Sequence, residues 1–117
     1  MTRTEIATMI ASIGIPYAYY QFERGTATEP PFLCFYYLRD NDVLADNTNY
    51  QAIDHLMVEL YTATKDFGLE KTVKDTLNEN GLVYTWEETY IDTQRMYMTI
   101  FEADVVITEE TTNGEQS

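Results

Sequence analysis

His55 is the only histidine in this 117-residue chain, and few other residues could take part in chemistry. An imidazole works as a general base or acid when a nucleophile or an orienting carboxylate lies beside it in space. Its nearest acids in sequence are Asp54 and Glu59, within "AIDHLMVELYT" (52–62). That stretch alternates with period two, as a strand does, so Asp54 points away from His55. The pattern makes His55 a surface or contact residue on the sheet side away from the helices, not a catalytic base. Cys34 is the one cysteine, which excludes an internal disulfide and a thiolate cage. It sits among aromatic residues, without the electropositive setting that activates a thiol.

"DNDVLADN" (40–47) has the acidic start of a calcium loop, but Leu44 and Ala45 stand where a third oxygen ligand and a glycine are required. Glu87–Glu88 are neighbours on an expected strand and point to opposite faces, so they cannot share acid–base work. No glycine-rich phosphate loop is present. The seven basic residues are scattered against twenty acidic ones, and a net charge of −13 argues against binding nucleic acid or an anionic membrane. These observations predict no enzyme activity, no cofactor and no metal.

The elements follow from local pattern. "TRTEIATMIASIGIP" opens with a Thr2/Glu5 capping box, and Ile6, Met9, Ile10 and Ile13 then form one helical stripe ending at Gly14 and Pro16. "YAYYQF" (17–22) and "FLCFYYLR" (32–39) are expected strands, joined through "ERGTATEPP" as a long hairpin. The second strand is apolar on both faces: Phe32, Cys34, Tyr36 and Leu38 on one, Leu33, Phe35 and Tyr37 on the other. It therefore needs a cover on each side. A strand through 52–62 follows, then a helix over 66–80 with Leu69, Val73 and Leu77 inward, ended by Asn80–Gly81. Strands at 82–90 and 95–107 complete the chain, the last with Tyr97, Thr99, Phe101, Ala103, Val105 and Ile107 on one face. The prediction is an α+β fold of order α-β-β-β-α-β-β, a mixed sheet with two helices packed on one face. One domain spans 1–107, and the polar 108–117 is expected to be a disordered tail. The N-terminus lacks signal-peptide blocks and no run is long enough to span a membrane, so a cytosolic site of synthesis is expected.

The second half carries a resemblance. "VELYTATKD" (58–66), "LEKTVKDTLNENGLVY" (69–84) and "EETYIDTQRMYMTIFEADVVI" (87–107) look like the tail terminators, or tail-completion proteins, of long-tailed siphophages of Gram-positive hosts. The first half matches in element order, through its short helix and the "PPFLCFYYL" segment. Head-completion (neck) proteins, also small, acidic and ring-forming, are a neighbouring class. The resemblance implies a homohexameric ring in the virion, assembled in the host cytoplasm. That ring sits on the last ring of tail tube protein, stops polymerisation and offers a docking face to the head-completion protein, while DNA passes through without specific binding. It carries over no catalytic residues. An acidic DNA mimic is the rival from another class, but here the acids are mixed with lysines on the second helix.

Within that reading, copies meet through an aromatic-rich sheet surface, and the candidate subunit-interface residues are Leu33, Phe35, Tyr37, Met57 and Tyr61. The candidate channel or axial contacts are Asp40, Asp42, Asp46, Ile91 and Arg95, on the loops and turn. Six copies would carry a formal charge of about −78, suited to letting DNA slide.

Overall fold

The computed structural model describes residues 1–22, 28–39 and 53–108. The elements are α1 (Arg3–Ala11), β1 (Tyr17–Tyr19), β2 (Phe32–Arg39), β3 (Ile53–Thr62), α2 (Phe67–Glu79), β4 (Tyr84–Ile91) and β5 (Met96–Val106). The class is α+β, and the order α-β-β-β-α-β-β is the one the sequence pattern predicts.

Both helices are set by their ends. Thr2 accepts the Glu5 amide and Glu5 accepts the Thr2 amide in return, which closes the capping box of α1. Asp66 caps α2 by accepting the Leu69 amide at 3.0 Å. At the other end Gly81 takes φ +80, its amide donates to Asn78, and the Leu82 amide donates to Leu77. This is a Schellman closure, and Leu82 and Leu77 join the same core cluster, as such closures favour.

Among the described residues five strands form one mixed sheet of order β1-β2-β3-β5-β4. β2–β3, β3–β5 and β5–β4 are antiparallel. β3 and β4 therefore run parallel with β5 between them, and α2 lies on the connection joining them. Register then fixes the faces. Phe35 lies opposite Val58, and Val58 opposite Phe101; Tyr37, Leu56 and Ala103 form the next row. These rows meet Ile6, Met9 and Ile10 of α1 and Val73 and Leu77 of α2 in one core. Each fully buried aliphatic or aromatic side chain there contributes about 1.5–3 kcal/mol from removal of apolar surface. The Thr108 amide donates to the Met1 carbonyl at 3.0 Å, which ties the entry to α1 to the end of β5.

One expectation is corrected. β1 and β2 do not form a hairpin; they pair parallel, Tyr17 with Leu33 through Tyr19 with Phe35. Strand character stops at Tyr19 because Tyr20 turns to φ +69. The chain must then travel back before entering β2 in the same direction, and a parallel pair needs a connection of about a dozen residues. The long polar link suits that return as well as it suits a hairpin. No helix of the described residues is long and apolar enough to cross a membrane.

Candidate functional site

Both helices use one face of the sheet, and among the described residues no helix packs on the other. That open face is built by the residues alternating with the core: Phe32, Cys34, Tyr36 and Leu38 of β2; His55, Met57, Glu59 and Tyr61 of β3; Met98, Ile100, Glu102 and Asp104 of β5.

Its β1–β2–β3 end is an aromatic band. Tyr20 stacks on Tyr36 with centroids 5.2 Å apart, and Phe32 stacks on Tyr61 at 4.8 Å. Phe22 meets Phe32 edge-on at 5.4 Å. Offset stacks and edge contacts of this kind suit the ring quadrupole and hold the rings in place. Glu59 anchors the band, accepting from the Tyr36 hydroxyl and the Tyr61 hydroxyl, each at 2.7 Å. Burial, then the bond to Glu59, pushes the Tyr36 phenol up to about 12, and the same causes raise Tyr61. Cys34 and Met57 lie lowest on the face. Burial, with the charge of Glu59, raises the Cys34 thiol, so this thiol is not activated.

The opposite end of the face, along β3 and β5, is polar. His55 Nδ1 lies 2.7 Å from Asp104 and 3.3 Å from Glu102. Among the described residues this trio is the one group of His, Cys, Asp and Glu side chains able to converge on a metal ion, and Thr85 lies opposite Glu102 on the neighbouring strand.

The sequence-predicted contacts fall in several places. Leu33 and Phe35 belong to the chain's own core, 0% and 4% exposed beneath the helices, so they are not available to a partner. The period-two pattern of β2 separates its two apolar sets correctly but does not say which set the helices cover. Tyr37 shares their face at its margin, half-buried under the Arg3 guanidinium, which lies 5.8 Å from its ring centre. Met57 and Tyr61 lie on the open face, Met57 buried and Tyr61 half-buried. Their counterparts on the open side of β2 are Tyr36, half-buried, and Leu38, 48% exposed. Ile91 ends β4 opposite Met96, and Arg95, at φ +54, closes the turn between β4 and β5. Asp40, Asp42 and Asp46 lie outside the described residues.

The acids nearest His55 in the chain, Asp54 and Glu59, are not its partners. The partners come from β5, 47 and 49 positions on, where Glu102 and Asp104 alternate with core residues. Only the strand register brings them together. The chain matches no family model, no curated protein and no solved structure.

Proposed function

We propose that this chain is a structural subunit that assembles with copies of itself into a ring, and that the ring caps a phage tail tube. The observation supporting self-assembly is the open sheet face, where Tyr20, Tyr36, Leu38 and Ile53 remain partly or largely exposed beside Phe32, Tyr61, Met98 and Ile100. A sheet face with this much apolar and aromatic surface gains from a partner. The tail-terminator assignment rests on the resemblance of residues 58–107. The hexameric number, the tail tube and head-completion partners, the passage of DNA and the place in the virion come with it.

Capping of this kind needs binding alone. One ring face reproduces the tube's stacking contact and the other lacks it, so growth stops without any bond being made or broken. A head-to-tail contact that closes on itself gives a ring; one that does not close gives a filament.

Two experiments test the two parts. Sedimentation at rising protein concentration should show self-association that Leu38→Lys weakens while the monomer keeps its thermal midpoint; a chain that stays monomeric at every concentration, with and without tube protein, removes the assembly reading. Electron microscopy of tails made without this chain should show overlong or irregular tubes. Tubes of normal length that fail to join heads would instead assign it to the neck.

A further inference from the structure

We propose that His55, Glu102 and Asp104 form a binding site for one divalent transition-metal ion, with Zn²⁺ the best match. The site stands at the far end of the open face from the aromatic band and does not depend on the tail assignment.

The sheet itself builds the geometry. His55 and Asp104 are directly opposite each other across the β3–β5 pairing, and Glu102 is two positions earlier on β5, so all three side chains leave the same face. One nitrogen and two carboxylate oxygens lie within 4.8 Å of one another. A tetrahedral Zn²⁺ about 2.0–2.2 Å from each donor would set donors roughly 3.3–3.6 Å apart. From His55 Nδ1 the Glu102 oxygen, at 3.3 Å, meets the lower end of that range, and the Asp104 oxygen, at 2.7 Å, lies closer and must draw back to admit an ion. Side-chain torsions supply the freedom such an adjustment needs.

Charge and donor type point the same way. Among the described residues, His55 is the only cation-capable group within ion-pair distance of either carboxylate. With a neutral imidazole the trio carries two formal negative charges, which a divalent ion neutralises. The imidazole nitrogen favours Zn²⁺ and its transition-metal neighbours over Mg²⁺ and Ca²⁺, which prefer oxygen alone. A cavity of about 510 Å³, lined by Val83, Tyr84 and Thr85 as well as the trio, opens at the cluster and has room for water in the fourth position. The ordinary alternative is a surface ion pair, which binds no metal.

Because His55 is the sole histidine, its imidazole gives one isolated set of proton signals in the full-length protein. Titration with ZnCl₂, followed by calorimetry and by those signals, should show saturable binding of one ion per chain with the imidazole signals shifting in step. His55→Ala and Asp104→Asn should each weaken binding at least tenfold, while Glu79→Gln on α2 leaves it unchanged. Tenfold excess Mg²⁺ or Ca²⁺ should not displace the ion. Circular dichroism establishes that each variant is folded; both substituted side chains are partly exposed, so neither change opens the core. Non-saturable uptake, binding that survives His55→Ala in full, or displacement by Mg²⁺ would each overturn the proposal.

Discussion

The Tyr36 hydroxyl donates to the Glu59 carboxylate across the β2–β3 pairing, at 2.7 Å. The bond holds only while the phenol keeps its proton. Unfolding returns the phenol to its ordinary value of about 10, against about 12 in the fold. Below pH 10 both states are protonated and the contribution is complete. As the pH rises from 10 towards 12 the unfolded chain ionises first, so the contribution is lost. The urea midpoint should fall across that window, and more steeply than in Tyr36→Phe. Ultraviolet titration of phenolate should show Tyr36 and Tyr61 ionising last. Equal slopes in the two proteins would contradict the account.

Burial makes Cys34 inert. An aromatic disulfide reagent should react with it more slowly in the native protein than in urea, by a factor on the order of a hundred, because reaction waits on opening of the sheet. Comparable rates in both states would mean that the thiol is reached without opening.

Lys65 bridges the start of α2 to β4. It donates to Glu70 at 2.6 Å and also to Glu88. Burial alone would lower the Lys65 ammonium, but the two carboxylate bonds outweigh it and raise it. Glu70 is 4% exposed, so losing the cation leaves a buried carboxylate without its partner. A fully buried pair broken in this way costs about 3–5 kcal/mol; partial exposure of Lys65 brings Lys65→Met to about 1–3 kcal/mol. Denaturant unfolding of Lys65→Met and of Lys65→Met/Glu70→Gln checks this, with the double variant recovering part of the loss.

Two glycines of the α2 region should respond in opposite directions to alanine. Gly81 has open space around an added Cβ, yet it takes φ +80, so Gly81→Ala should cost about 1–2 kcal/mol from backbone strain alone. Gly68 is helical, and its added Cβ would meet only Asp66 Oδ1 at an ordinary 3.6 Å. Gly68→Ala should therefore raise stability, by about 0.4–1 kcal/mol. Thermal midpoints moving the same way would break this reading.

Much of the fold was legible because the deciding signals are local. Thr2 and Glu5, Asn80 and Gly81, and the alternation from Leu56 to Leu60 act over a few residues, and the elements they predict form with ends displaced by a residue or two. What failed depends on contacts distant in the chain. The direction of β1 turns on where the chain goes after Tyr20, and the fate of Leu33 and Phe35 turns on which face α1 and α2 select. The His55 cluster needs the β3–β5 register, which places Asp104 against it across half the length of the chain. Alternation reveals that a strand has two faces but carries no label for the partner of either.

Among the described residues β4 is the outermost strand on its side of the sheet, with Glu87 and Glu88 at its middle. Two β4 strands joined antiparallel and in register would set Glu87 of each copy against Glu88 of the other, and like charges directly opposed weaken such a junction. A twofold dimer extended through this rim in that register is therefore disfavoured, less strongly where Lys65 already neutralises Glu88.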